Sequence, residues 1–354
     1  MTDENLIEKI IQNNLDKNKK YTFKFRLKNQ KVWGNFLENL NDSLINYSNQ
    51  ELNYQLLYRK EENFDDQDYS FICLKKQEPI CIVALTISKS KSGEVNEVSS
   101  YGEPLLAPLI LDNMNLEEKK ELIKILYNII KEISFNLKVK KIISCENFLK
   151  EKNTSEWCFF LRNLDLKVDT VREGYIDLTK SIEEIDSHLR KKKILYDVNK
   201  AKKLWDAKIK HQLKLEEWLE FKNLHLKVSG KKTRSDKTWD SQYRDIVNGN
   251  AFVVFVYKDK KIVGGGMYRY SKTMALYAIG VYDRSLFPKP ISHLVHYLAI
   301  HELKKKNIRW LKMGDIPSLE DYNNPTSKNV SIGLFKRKFS THIFDKKIYY
   351  HMLN

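Results

Sequence analysis

The run "ISHLVHYLAIHELKKKN" places His293 and His296 three residues apart, with His301 further along. Histidines of this kind suit proton transfer or metal ligation. His296 and His301 lie five apart and no third ligand is evident, so a metal site is not expected. His293, near the start of the run, is the candidate general base. Asp283 ends one strand-like stretch and Asp315 the next parallel one. Carboxylates at strand ends border the ligand crevice in open sheets, and they equally cap turns and helices. In "HLKVSGKKTRSDKTW" Arg234 can grip a carboxylate or phosphate through two N–H groups, with His225 and Thr233 close by. Trp239 in the same stretch reads as core, facing a sheet.

Three further stretches carry charge or glycine. "IGLFKRKFS", residues 332–340, reads as a strand, with Phe335, Arg337 and Phe339 on one face and Lys336 and Lys338 on the other. Its lysines then either protect a sheet edge or meet an anion in a cleft. "RKKKILYDVNKAKK" is the densest run of cations. On a helix, Lys192, Lys193, Lys200 and Lys203 line an exposed side, as a solvated face or a phosphate contact. "GGGM", residues 264–267, lies inside a strand pattern, where a bulge or a close backbone approach explains it better than a phosphate cradle.

The 354 residues suffice for two domains, and a 42% hydrophobic fraction is that of a folded protein. Lys and Arg exceed Asp and Glu by 16, which favours phosphates, nucleic acid or an anionic membrane surface as partners. No RNP-type aromatic stretch or GXXG loop is present. The polar start "MTDENLIEKIIQNN" lacks the features of a signal peptide, and no apolar run approaches the roughly 20 residues of a membrane helix. A cytoplasmic location is expected. Cys73, Cys81, Cys145 and Cys158 show no C-x-x-C spacing and read as reduced core thiols.

These candidates need a scaffold, and the hydrophobic pattern supplies one. "YSFICLKK" and "PICIVALTIS" read as adjacent meander strands, "YGEPLLAPLIL" as a loop or edge strand. The helix "NLEEKKELIKILYNIIKEISFNLKV" and the buried strand "KKIISCEN" follow. The second half repeats the plan. A short strand leads into a helix with a Ser181/Glu184 capping box. Helices "LEEWLEFKNLHLKVSG" and "TWDSQYRDIVNG" precede strands "AFVVFVYK", "KIVGGGMYRYS" and "MALYAIGVYD". The His-bearing helix, the strand "IRWLKMGD" and two closing strands complete it.

That order resembles the GNAT acyltransferase fold, doubled as in the Fem-type aminoacyltransferases and their FemAB-like relatives. The stretches that carry the resemblance are "IDLTKSIEEIDSHLRKKKILYDVNKAKK", "FKNLHLKVSGKKTRSDKTWDSQYRDIVNGNAFVVFVYKDKKIVGG", "ALYAIGVYDR" with "HLVHYLAIHELKKKNIRWLKMGD", and "GLFKRKF". It implies an α/β fold with mixed sheets and two GNAT-like domains in tandem, 1–172 and 173–354, the first degenerate. It implies transfer of an acyl or aminoacyl group to an amine or hydroxyl of a cell-envelope or surface-glycan precursor, such as an amino sugar, by direct attack. The splayed strand "LYAIGVYD" would donate a backbone N–H to the oxyanion. Lys336 would fall beside the cleft, binding a donor phosphate or acceptor carboxylate or stabilising the oxyanion. Asp283, His293 and Lys336 are the catalytic candidates; His225, Arg234, Tyr277, Asp315 and Lys328 are the substrate-binding ones. No metal and no tightly bound cofactor is expected; the donor is aminoacyl-tRNA or acyl-CoA. The glycine loop that holds the CoA pyrophosphate in GNAT enzymes is replaced by "RSLFPKPISH", whose prolines donate no N–H. The alternatives are an acyl-CoA-dependent N-acyltransferase acting on a nucleotide-linked amino sugar, or a non-catalytic RNA- or envelope-binding module. Peripheral contact with an anionic membrane surface stays open.

Overall fold

A computed structural model describes residues 3–16, 20–61, 64–89, 95–148, 155–321 and 324–353. The chain forms two compact units: Met1–Asn41, Tyr47–Thr170 and Lys346–Asn354 in one, Asp42–Asn46 and Val171–Asp345 in the other. This differs from contiguous halves by two exchanged segments. Ser43 bonds through its amide to the Thr273 hydroxyl at 2.8 Å, which ties Asp42–Asn46 to the second unit.

The first unit opens with α1 (Asp3–Asp16), β1 (Thr22–Phe25), α2 (Gln30–Glu38) and α3 (Asn49–Glu61). Strands β2 (Asp65–Asp68), β3 (Phe71–Lys75), β4 (Glu78–Val83), β5 (Thr86–Lys89), β6 (Val95–Ser99) and β7 (Leu109–Ile110) follow. They form one sheet in the order β1-β3-β4-β7 and another in the order β2-β5-β6. "PICIVALTIS", expected as one strand, is therefore β4 and β5 in different sheets. Between the two, the Leu85 amide donates to the Ser70 hydroxyl at 2.9 Å. α4 (Leu116–Asn136) is capped by the Asn115 side chain and buries Leu122, Leu126, Ile129, Ile130 and Ile133, the face its spacing predicts. β8 (Lys141–Cys145) and α5 (Glu156–Arg162) complete this stretch. All four cysteines are free and buried.

The second unit contains β9 (Lys167–Asp177) from Val171 on, then α6 (Ile182–Lys191), α7 (Ile194–Leu204), β10 (Asp206–Lys210), α8 (Leu215–Ser229) and α9 (Asp236–Val247). Next come β11 (Ala251–Lys258), β12 (Lys261–Tyr270), β13 (Met274–Tyr282), α10 (Ile291–Lys305), β14 (Trp310–Asp315) and α11 (Ser327–Phe339). The strand order is β10-β11-β12-β13-β14-β9. β13 and β14 run parallel, the other neighbours antiparallel. Alternation along β11 separates two cores. Phe252, Val254 and Val256 pack with α7 and α10, whereas Val253 and Phe255 pack with Trp218, Phe221 and Trp239 of α8 and α9. The last strand, β15 (His342–Met352), pairs Ile348–Met352 with Lys141–Cys145 inside the first unit.

Three expectations need correction. The Ser181/Glu184 capping box is present, but Lys193 adopts φ +62° and divides the expected single helix into α6 and α7. Lys192 and Lys193 therefore do not share a helical face with Lys200 and Lys203. β10 carries no strong alternation and escaped the sequence reading. "SIGLFKRKFS" is the helix α11, not a strand. The Thr326 hydroxyl caps it through the Asn329 amide, and Phe335 and Phe339, one turn apart, pack together at 5.3 Å. Lys336, Arg337 and Lys338 occupy its last turn, where cations suit the helix dipole.

Candidate functional site

β13 and β14 share ladder partners only over Met274–Leu276 and Trp310–Lys312. Beyond these residues no ladder joins them among the described residues, and the two strands part toward their C-terminal ends. On its other side β13 pairs Ile279 with Met267 and then Tyr277 with Tyr268, so Ala278 is an extra residue in a bulge. A bulge re-aims backbone amides and side chains where a sheet changes course.

Glycines let aromatic rings lie flat on the α10 face of this region. A methyl group at Gly264 would meet Tyr282 and Ile291 at 2.8 and 2.9 Å; one at Gly266 would crowd Val295, Tyr277 and Tyr268. At Gly280 it would stand 1.6 Å from the Tyr277 hydroxyl. The glycine run thus serves close approach, as expected. The Tyr277 and Tyr282 hydroxyls lie 3.3 Å apart. His296, fully buried on α10, shares a hydrogen bond between its Nδ1 and the Tyr268 hydroxyl at 2.7 Å and packs against Tyr277, Phe335 and Phe339. His293, one turn earlier, stands edge-on to Phe335 and 3.6 Å from the Asp197 carboxylate.

Lys336 reaches from α11 to β14. Its Nζ would be 3.0 Å from a methyl at Gly314, whose φ of +94° suits glycine. The ammonium makes no hydrogen bond or ion pair among the described residues. Behind it, Glu173 is buried and bonded to Lys312 at 2.8 Å and to the Tyr175 hydroxyl at 2.7 Å.

Burial dominates the electrostatics. It lowers the Lys336 pKa, opposed by the charges of Asp315 and Glu173 and assisted by Lys312. Burial, then His293 and Lys336, depresses His296 to about 3, so its ring is neutral at pH 7. Burial also lowers His293, against the pull of Asp197. It pushes Tyr277 up to about 12 and Tyr268 and Tyr282 well above the ordinary range, so all three stay protonated phenols.

Of the sequence candidates, Tyr277, His293 and Lys336 come together here, with Asp315 near enough to act on Lys336 through its charge. Asp283 caps the turn after β13, accepting from the Ser285 amide and hydroxyl at 3.0 and 2.8 Å, with Lys227 at 3.5 Å. Those bonds hold its carboxyl below the usual range. His225 and Arg234 pair with each other at 3.1 Å beside Trp239, on the α8/α9 side of the sheet. Burial and Arg234 depress His225 to about 4. Lys328 is exposed on the first turn of α11. Trp239 is core, as expected. His296, Tyr268, Tyr282, Glu173 and Lys312 were missed. A usable signal was the alternation of glycines with tyrosines along "GGGMYRY" and "LYAIGVY".

Among the described residues no group of His, Cys, Asp or Glu could hold a metal ion, and no helix is long and apolar enough to cross a membrane. No family model matches the sequence, and the search of curated proteins returns no match. Solved structures do match. The crystal structure of FemX aligns with TM-score 0.65 at 12% identity, over 92% of this chain and 96% of FemX. A conserved protein of unknown function from Bacteroides thetaiotaomicron aligns with TM-score 0.55 at 11% identity, over 93% and 98% of the two chains. At these identities the likeness concerns the fold, and it extends over nearly the whole chain. The chain has the α/β fold of FemX over nearly its whole length.

Proposed function

We propose that this chain is an acyltransferase that moves an acyl or aminoacyl group onto an amine or hydroxyl by direct attack. The observation that carries the reading is the parting of β13 from β14 beside the Ala278 bulge, with the unpartnered Lys336 ammonium next to it. Strand edges that part leave backbone donors for a carbonyl oxygen, and a nearby cation favours the charge that develops there. The acceptor nitrogen or oxygen attacks the carbonyl carbon, the ester or thioester bond breaks, and the leaving group takes up the proton. His293, half-buried beside Asp197, is placed to pass that proton.

An aminoacyl-tRNA donor fits better than acyl-CoA. The loop ahead of α10 has no glycine, and Pro288 and Pro290 carry no N–H, so it offers fewer amides to a pyrophosphate than a glycine loop does. Arg190 and Lys191 of α6, Lys192 and Lys193 in the turn after it, and Lys200 and Lys203 of α7 are exposed and have no carboxylate partner among the described residues. A polyphosphate strand suits such a surface. The acceptor would be an amino sugar or related envelope precursor, by analogy with the Fem-type fold alone.

The test follows transfer of labelled amino acid from bulk aminoacyl-tRNA to a nucleotide-linked amino sugar, with acyl-CoA thioesters in parallel. Transfer abolished by RNase supports the reading. A saturable rise in melting temperature with acyl-CoA, together with RNase-resistant transfer, makes CoA the donor. Turnover with neither donor overturns the enzyme assignment.

A further inference from the structure

α7 buries Ile194, Val198 and Ala201 in the core it shares with α10 and turns its other face to solvent. The exposed residues from Ser187 to Leu204 include seven cations and no carboxylate. Asp197, in the same stretch, is turned toward His293. Tyr196 stands among the cations, 73% exposed, and makes no hydrogen bond or ring contact among the described residues. The turn with Lys192 and Lys193 lies just before it, while Lys200 and Lys203 follow at four and seven residues, on its own helical face. Cations alone suit any polyanion. An aromatic face held in water among them adds a stacking platform for an unpaired base, which a duplex keeps inside its own stack. Entry into a bilayer needs more apolar surface than Tyr196 and Leu204, the exposed large apolar side chains of this stretch, supply.

We propose that this face of α6 and α7 binds single-stranded RNA, with one unpaired base stacked on Tyr196 and the flanking phosphates on Lys193, Lys200 and Lys203. The inference rests on the RNA-donor reading and deepens it: the surface takes an unpaired end of the donor and not its duplex. The ring sets the preference for an unpaired strand, and the lysines set the salt dependence. Stacking reads no base edge, so the surface accepts any base at that position.

The test is fluorescence anisotropy of a labelled RNA of about eight nucleotides, single-stranded and annealed to its complement, at matched salt. The expected result is about tenfold tighter binding of the single strand. Tyr196→Ala should weaken that binding about tenfold and remove the preference, whereas Tyr196→Phe should stay within about twofold of the parent. Lys200→Gln combined with Lys203→Gln should lower the slope of log Kd against log salt by about 1.4. These side chains are exposed, so each variant should melt like the parent. A duplex bound as tightly as the single strand, or a Tyr196→Ala variant that binds the strand like the parent, overturns the proposal. Binding to phosphatidylglycerol vesicles without binding to the RNA also overturns it and makes the face a membrane contact. In the transfer assay Tyr196→Ala should raise KM for aminoacyl-tRNA about tenfold with kcat within about twofold. If the strand binds through Tyr196 but no donor supports transfer, the RNA surface stands and the acyltransferase reading fails. If RNase-sensitive transfer proceeds with KM unchanged in Tyr196→Ala, the reading stands and this surface fails.

Discussion

In the first unit the Arg26 guanidinium is fully buried, with four of its five N–H donors bonded. Asp68 takes two of its N–H groups at 2.6 and 2.9 Å, Asn49 a third at 2.9 Å and Asn53 another at 3.0 Å. Arg59 is treated likewise, bonded to Asp66, to Ser88 at 3.0 Å and to Glu97 at 2.5 Å. In the second unit the half-buried Lys336 ammonium has no hydrogen-bond or ion-pair partner among the described residues. A folded chain that only needed a buried cation would complete its shell, because an unmet buried donor costs about 1–3 kcal/mol. The satisfied arginines read as structure, and the half-buried lysine without a partner among the described residues as a group left for a ligand.

The sharpest way to break this contrast is to remove each cation and measure unfolding in denaturant. Arg26→Met leaves Asp68 buried without its counter-ion and should cost about 3–5 kcal/mol. Lys336→Met removes a charge that no hydrogen bond or ion pair holds among the described residues, and its stability should stay within about 1 kcal/mol of the parent while transfer collapses. Equal losses from the two substitutions would erase the distinction and return Lys336 to a structural role.

Gly280→Ala tests the floor of the site instead of its charge. The new methyl would overlap the Tyr277 hydroxyl, so the ring must leave its place over the strand. The expected stability loss is about 1–3 kcal/mol, with a larger proportional loss of transfer than of stability. A variant that melts lower but transfers normally would show that Tyr277 fills space without serving the reaction.

Acid sensitivity should also divide the molecule. His296 is held near 3 in the folded protein against about 6.5 unfolded, so the unfolded chain binds the extra proton first. Its contribution is intact above about pH 6.5 and drains away as pH falls toward 3. From pH 7 to 5.5 the single site should lower stability by about 1 kcal/mol, and His296→Phe should flatten that part of the curve. His225, held near 4, adds a second slope of the same sign. A parent curve that is flat over this interval would mean that His296 is not buried neutral.

Much of the fold was legible because burial writes its period into the chain. The α4 face, the two-sided β11 and the Ser181 cap all follow from spacing. α11 was misread because "LFKRKF" satisfies a two-residue period as well as a four-residue one. The helix wins through contacts distant in sequence, Phe335 and Phe339 against His293 and His296. The same distance hid most of the site. Lys336 entered through resemblance, and His293 was chosen over His296 because nothing local says that Tyr268, 28 residues away, fixes the second ring. The donor shell of a buried group is a tertiary property. The short caps, by contrast, are local and visible.

Asp283 is the finest test of that last point, because its sequence position left catalysis and capping open. Its Oδ1 accepts from the Ser285 amide and hydroxyl, and Lys227 lies near its other oxygen. By the contrast drawn from Arg26, a carboxylate with its bonds made is structural. Asp283→Asn keeps an oxygen for the Ser285 amide and loses only the half-exposed ion pair. The expected cost is about 0.5 kcal/mol, visible as a small fall in melting temperature, with transfer within about twofold of the parent. A loss of transfer far beyond that, in a protein of unchanged stability, would show that a group with satisfied bonds can still act on the substrate. Completeness of the bonding shell would then no longer separate scaffold from site in this chain.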